Sequence, residues 1–341
     1  MGFAWTDGFD SYLIGSDLSK NYAVVGAGWT VNTSGGRTGL GAAVGSGASA
    51  TILQSTQIIP DPSGGYFDAG FYMKVTGGNP ASAAIIFQTY TSSLLVVANV
   101  TLNTNGTLTV AYANSSITST LTVTDGAYHW IEFYMYYSGG TVNTALYIDN
   151  ISQGNNSNFA VPNTNVDHFI FQSIPNRTLT IDDAVCYNNS TGTPNNGSFP
   201  ISARQITTLR PTTDGAVNFS TVVGGTGTHA SAVNEQTADG DTSYVNDGTS
   251  GHQDLYNYAL LGYSPVNITG VMVHSYLKDP SAGSINFQTV CKSGATTSLG
   301  LSTVTPGIYQ MMQTPFPTDP NTSAAWTQAG INAAQFGIKV P

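Results

Sequence analysis

YHWIEFYMYY at Tyr128–Tyr137, the turn Ser138-Gly139-Gly140 and TVNTALYIDN at Thr141–Asn150 decide the fold class. The first segment alternates. Trp130, Glu132, Tyr134 and Tyr136 share one face; His129, Ile131, Phe133, Met135 and Tyr137 share the other. Aromatic and β-branched residues at period two specify a strand, because side chains leave a pleated backbone on alternate sides. The second segment places Val142, Leu146 and Ile148 on one face. With two glycines between them, the pair reads as a β-hairpin.

The same pattern extends outward on both sides. Tyr66–Val75 (YFDAGFYMKV) aligns Phe67, Ala69, Phe71, Met73 and Val75 on one face. Ala83–Tyr90 and Leu94–Leu102 are continuous apolar runs, and Thr107–Tyr112, Thr120–Val123, Asp167–Gln172 and Leu179–Tyr187 are further strand-like segments. Each is short and bounded by turn formers, which is the spacing of an antiparallel sandwich or barrel. NNSTGTPNNGSFP at 188–200 has no periodicity and reads as a linker. The expected organisation is a first domain at 1–188, a linker at 189–200 and a second, smaller antiparallel β domain at 201–341. In the latter, Asp254–Leu261, Val266–Leu277 and Ser284–Cys291 are strand-like. Asp319-Pro320-Asn321-Thr322 before SAAWTQAGINAAQ predicts one short helix, and Phe336, Ile338 and Val340 mark a last strand.

Composition supports an all-β chain. Nine Lys+Arg stand against nineteen Asp+Glu in 341 residues, giving a net charge of −10 with 8% charged residues. A typical soluble domain carries about 25%. Long surface helices need good helix formers on their solvent face, and here Gly, Ser, Thr and Asn take those places. Hydrophobic residues at 40% and aromatics at 11% argue against disorder. The basic residues are scattered, so binding nucleic acid through phosphate contacts is excluded. No apolar run is long enough for a membrane helix. MGFAWTDGFDSY has no basic segment followed by an apolar one, so no secretory signal is expected. Two cysteines, Cys186 and Cys291, exclude a disulfide framework and a thiolate zinc site. They read as buried free thiols, with a bridge between them as the alternative.

Several motifs go further than periodicity. DGFDSY at 7–12 with Asp17-Leu18, Gly36-Arg37-Thr38-Gly39 leading into strands, AYHWIEFYMYY with LYIDN at 127–150, and TIDDAVCYN at 180–188 follow one another in order. This order resembles the concanavalin A-like, laminin G-like jelly rolls of tailed-bacteriophage virion proteins. ITTLRPTTDG at 206–215, DGDTSYVNDGTSGHQDLY at 239–256 and the closing Asp319-Pro320, Trp326-Thr327 and Phe336–Lys339 resemble a partner domain found behind such jelly rolls. The resemblance implies a jelly-roll sandwich followed by a β-rich assembly domain. It implies a structural protein made in the bacterial cytoplasm and carried on the virion surface, as capsid decoration or part of a tail or fibre. It brings no established catalytic residues. One departure is Asp149-Asn150, where an Asp-Gly turn is usual; Asn tolerates φ > 0, so the turn is expected to form.

Glycosidic hydrolysis needs two positioned carboxylates. Glu132 stands alone among aromatics, and its reading as an acid catalyst is weaker than that of a strand carboxylate hydrogen-bonded to a neighbour. Asp183 is placed on the core face of Leu179, Ile181, Val185 and Tyr187, where an ionised carboxylate needs a partner. It is a candidate calcium ligand with Asp10, or Asp7, as co-ligand; the competing reading is a carboxylate that pins the N-terminal turn. The run Asp239, Asp241, Asp247 and Asp254 lacks the spacing of a calcium loop and reads as turn chemistry. The histidines are isolated in sequence, and neither HExxH nor GxSxG occurs. Tyr72, Tyr134 and Tyr136 are the candidates for stacking on a sugar ring. Trp5, Phe9, Tyr12, Phe316, Trp326 and Phe336, near the chain ends, are the candidate assembly contacts. No cofactor beyond a structural calcium is expected. The resulting expectation is a non-enzymatic, homo-oligomeric component of a phage particle that contacts capsid or tail proteins, with a host-glycan-binding adhesin as the alternative and a polysaccharide depolymerase below it.

Overall fold

The computed structural model describes residues 3–56, 66–93, 95–112, 115–138, 141–160, 166–189, 200–280 and 285–341. Most of the expected linker lies outside the described residues. By internal contacts the chain divides into two compact units, Met1–Ile206 and Thr207–Pro341. Residues 201–206, which the sequence reading gives to the second domain, belong with the first.

Among its described residues the first unit contains fifteen strands, β1 Phe3–Asp7, β2 Tyr22–Val25, β3 Trp29–Asn32, β4 Ala42–Gly45, β5 Ile52–Ser55, β6 Tyr66–Thr76, β7 Ala84–Tyr90, β8 Val96–Leu102, β9 Thr107–Tyr112, β10 Ser115–Thr122, β11 His129–Ser138, β12 Thr141–Ile148, β13 Ile151–Ala160, β14 His168–Gln172 and β15 Thr178–Asn189. They form two antiparallel sheets. One has eight strands in the order β13-β12-β11-β6-β15-β4-β3, with β1 also on β15; the other has seven, in the order β10-β9-β8-β7-β14-β5-β2. The expected hairpin is β11–β12, with Ile131 opposite Ile148 and Tyr137 opposite Val142. Asp149 and Asn150 then turn the chain into β13 at φ 52° and 66°, the mirror-image turn whose twist matches paired strands.

One face of each sheet supplies the core. Phe67, Ala69, Phe71, Met73 and Val75 of β6 are all buried, as the alternation requires. Rings from the two sheets interlock: Phe71 lies 5.0 Å from Phe171 and Phe87 lies 5.8 Å from Phe133. Trp5, Phe9 and Tyr12 belong to this core too, which corrects their reading as assembly contacts. Chain-end aromatics satisfy themselves on their own unit when a terminal strand pairs inside the sheet, as β1 does on β15.

The second unit holds β16 Pro211–Val217, β17 Thr221–Val223, β18 Tyr244–Asn246, β19 Gln253–Tyr258, β20 Val271–Leu277, β21 Asn286–Ser293, β22 Thr296–Leu299, β23 Thr303–Val304, β24 Gln310–Phe316, the helix α1 Gln328–Ala333 and β25 Gln335–Lys339. Its main sheet runs β16-β19-β25-β21-β22, with β23 also on β21; β17–β18 and β20–β24 are separate pairs. The helix is shorter and later than the cap residues predict. Thr327, not the 319–322 segment, accepts the Gly330 N–H, while Asp319 accepts the Asn321 and Ser323 N–H groups in a turn of its own. Phe316, Trp326 and Phe336, the other expected assembly contacts, pack with Val273, Cys291 and Ile331 in a second core. Cys186 and Cys291 are buried free thiols, one in each unit.

Candidate functional site

The outer face of the eight-stranded sheet, away from the core, gathers Asp68, Glu132 and Asp182. Four elements build it. On β11 the outer residues are Trp130, Glu132, Tyr134 and Tyr136; on β6 they are Asp68, Gly70 and Tyr72, registered so that Glu132 faces Gly70 and Tyr134 faces Asp68. β15 adds Asp182 opposite Tyr72. Residues 200–206 form a strap across this face.

Gly70 is what allows the arrangement. A Cβ there would stand 2.3 Å from the Trp130 ring, so the missing side chain makes room for the indole. The indole Nε1–H then donates to Glu132 Oε2 at 3.1 Å. Gly70→Ala is expected to lose about 2 kcal/mol of unfolding free energy, the cost of overpacking a filled site. Loss of the buried-tryptophan fluorescence signature should accompany it. A variant of wild-type stability and spectrum would contradict this packing.

Glu132 is fully buried. Besides the indole, its carboxylate accepts the Ile201 N–H at 2.7 Å and the Ser202 N–H at 3.1 Å. The strap is also held by Ala203 N–H on Asn150 Oδ1 at 2.8 Å and by Ile206 N–H on Asp183 Oδ1 at 2.7 Å. Burial raises the pKa of Glu132, against the lowering effect of its three hydrogen bonds. Asp68, beside it and also buried, is pushed well up, first by burial and then by the Glu132 charge, with the Arg204 guanidinium opposing both. Neither Asp68 oxygen has a hydrogen-bond partner among the described residues. This pair escaped the sequence reading because its members lie 64 residues apart on neighbouring strands. The available signal was a lone Asp on the outer face of YFDAGFYMKV.

The Asp182-Asp183 pair departs from its expected placement. The β15 register slips between Asp182 and Val185, and Asp183 takes φ 48°. Such a bulge reverses the side-chain parity beyond it. Ala184 and Cys186 therefore face the core, while Val185 and Tyr187 turn outward, the reverse of the period-two reading. Asp183 Oδ2 accepts two bonds from Arg37, at 2.8 and 3.2 Å, so a guanidinium stands where the calcium reading places a cation. Asp10 accepts the Gly41 N–H at 3.1 Å. Asp7 pins the N-terminal turn, accepting from Phe9 N–H, Tyr12 O–H and Asn21 Nδ2. Asp182 accepts the Arg37 N–H at 2.7 Å and the Asp183 N–H at 2.8 Å, and burial together with the Asp183 charge raises its pKa to about 7.

Arg37 also covers Tyr72, its guanidinium carbon 4.3 Å from the ring centroid, while Trp130 meets the same ring edge-on at 5.1 Å. One face of Tyr72 is thus taken by the guanidinium. Tyr134 and Tyr136 are half-buried on the same sheet face. In the second unit the acidic run is spent on turns. Asp247 accepts Ser220 and Thr249 N–H, Asp254 accepts Asn218 and Phe219 N–H and holds His229 Nδ1 at 2.6 Å, and Asp241 pairs with Lys278. Among the described residues no group of three or more His, Cys, Asp or Glu is placed to hold a metal ion.

No protein-family model matches the sequence, and no curated protein does. Solved structures do match in part. A sialidase aligns at 12% identity and a TM-score of 0.42, over 55% of this chain and 18% of its own. Cellulose induced protein Cip1 aligns at 13% and 0.36, over 48% and 87%, and the Emp47p carbohydrate recognition domain at 13% and 0.32, over 48% and 83%. This chain thus spans less than a fifth of that sialidase. What those proteins bind or cleave is a property of theirs, and likeness at this level carries no argument about the chemistry here.

Proposed function

We propose that this protein is a non-catalytic, self-assembling β-protein of a tailed-phage particle, carried on its head or tail. The observation that supports the reading is the fate of Glu132. Glu132, the residue the sequence offers as a candidate acid catalyst, is buried and bound to two N–H groups of the 200–206 strap and to an indole. General acid–base work needs a carboxyl within reach of substrate, and this one is occupied by its own chain. The order of motifs along the whole sequence supplies the phage assignment. A charge-poor surface rich in Ser, Thr and Asn suits contacts made through backbone and amide hydrogen bonds.

Two measurements test this reading. Mass spectrometry of purified particles should find the protein at a fixed copy number, high for a decoration and a small symmetric number for a fibre. The purified protein should release no reducing ends from host surface polysaccharide. Release that Glu132→Gln abolishes, or absence from the particles, would overturn it. A second reading, host-glycan attachment, retains Tyr134 and Tyr136 as half-exposed neighbours on one sheet face. Glycan-array binding lost in Tyr134→Ala or Tyr136→Ala would favour it.

A further inference from the structure

The exposed strand edges of this molecule are managed in different ways. In the first unit, edge strand β13 is tied across to β10: Gln153 Oε1 accepts Thr120 and Leu121 N–H, and Asn156 Nδ2 donates to the Ser116 carbonyl. The opposite side is flanked by a 3-10 helix at Gly15–Lys20, packed on β2 and β3. In the second unit β16 carries Pro211 and Asp214 and meets a 3-10 helix at Ala230–Ala232. Prolines, charges and covering elements are the usual means of keeping a strand edge from pairing with another chain.

Among the described residues the other edge of the second unit carries no proline and no charge, and a bend at Gly300 is its one irregularity. β22 is the last strand of its sheet, and no charged residue occurs between Lys292 and Asp319. Leu299 is 44% exposed, Leu301 88% and Val304 55%. The residues along this edge read Thr297-Ser298-Leu299-Gly300-Leu301-Ser302-Thr303, a palindrome about Gly300. Gly300 is required there: its N–H donates to Thr289 O at 2.8 Å, and a Cβ would stand 2.8 Å from the Thr314 methyl. The register slips by one residue around it, with Leu299 opposite Val290 but Thr303 opposite Phe287, so the strand bends at the palindrome's centre.

We propose that Thr297–Thr303 is a self-complementary edge on which a second copy of this chain docks, antiparallel, about a twofold axis at Gly300. In an isologous contact residue i meets residue j of the partner subunit and j meets i, and a palindrome about the axis makes those pairs like with like. Antiparallel pairing about residue 300 sets Leu299 against Leu301 of the partner subunit and Thr297 against Thr303 of the partner subunit. Both are favourable cross-strand pairs, apolar on apolar and Thr on Thr. The contact carries no charge, so the net charge of −10 on each copy opposes it only through distant, screened repulsion. The proposal rests on the self-assembly reading above and names its surface.

Sedimentation of the full chain across a wide concentration range tests it. Wild type should show a monomer–dimer equilibrium. Leu301→Lys, which sets a charge against the apolar pair, should abolish the dimer at an unchanged melting temperature. Leu260→Lys, at an exposed leucine off this edge, should keep it. Thr297→Cys/Thr303→Cys should give a covalent dimer on mild oxidation, and Thr297→Cys alone should not. Self-association that survives Leu301→Lys without a covalent dimer overturns the edge and leaves the self-assembly reading standing. A wild type that stays monomeric throughout overturns both.

Discussion

Glu132→Ala should lower the unfolding free energy by about 3 kcal/mol, read from urea melts at neutral pH. Three donors lose their acceptor together: the buried Trp130 indole and Ile201 amide and the half-buried Ser202 amide. A hydrogen bond to a charged acceptor contributes about 1.5–3 kcal/mol, and a buried donor left unmet costs about 1–3 kcal/mol. Against this, the variant removes a carboxylate that burial disfavours and relieves its repulsion of Asp68. The balance stays strongly destabilising because the donors have nowhere else to turn. Amide exchange localises the effect: Ile201 and Ser202 should lose protection, while Phe71 and Phe133 in the sheet core keep theirs at matched stability. A loss under about 1 kcal/mol, or uniform loss of protection, would show that the strap is held by something else.

The second large effect is on pH. Asp182 titrates near 7 in the folded chain against about 3.8 in the unfolded one. Asp7, Asp68, Glu132 and Asp183 are shifted in the same direction, burial being the first cause for each. A carboxyl with a raised folded pKa holds more protons folded than unfolded, so stability falls as pH rises from about 4 through the folded value. His129, which burial lowers but the hydrogen bonds to Asp149 and Asp125 raise overall, loses its contribution as pH rises above its unfolded value of about 6.5. Asp17 and Asp247, held low by backbone and side-chain hydrogen bonds, act the other way, but only below their unfolded value. Stability should therefore peak in mild acid and fall by about 2 kcal/mol towards pH 8, less than an isolated shift of this size would give because Asp182 and Asp183 share the charge. Asp182→Asn should flatten the profile. A wild type most stable at pH 8, or an Asp182→Asn variant with the wild-type slope, would refute this assignment.

The two effects also separate what was legible in the sequence from what was not. Strand positions, the β11–β12 hairpin and the inward set on β6 follow from period-two alternation, because burial on one face of a pleated strand is a local demand. The Asp149-Asn150 turn was legible for a similar reason, since it depends on two residues' tolerance of positive φ. The candidate site was legible only in pieces. Glu132 and Asp183 stood out as carboxylates on strands and Asp68 showed only as a lone Asp on an outer face, but Gly70 and Arg204 carried no signal of their own. Their meaning lies in cross-strand register and in a strap that returns from residue 200.

Sequence by itself thus determined an all-β chain, since the alternation, the scarcity of charge and the glycine-rich turns all act within a few residues of one another. Tertiary structure alone decided which carboxylates meet and what they hold. One extra residue at Asp183 reversed the facing of β15, and a one-residue slip is invisible to any periodic pattern. It also decided that Trp5, Phe9, Tyr12, Phe316, Trp326 and Phe336 are core. An aromatic near a chain end looks the same in sequence whether its partner is another subunit or the sheet its own strand joins, and only strand pairing distinguishes the two.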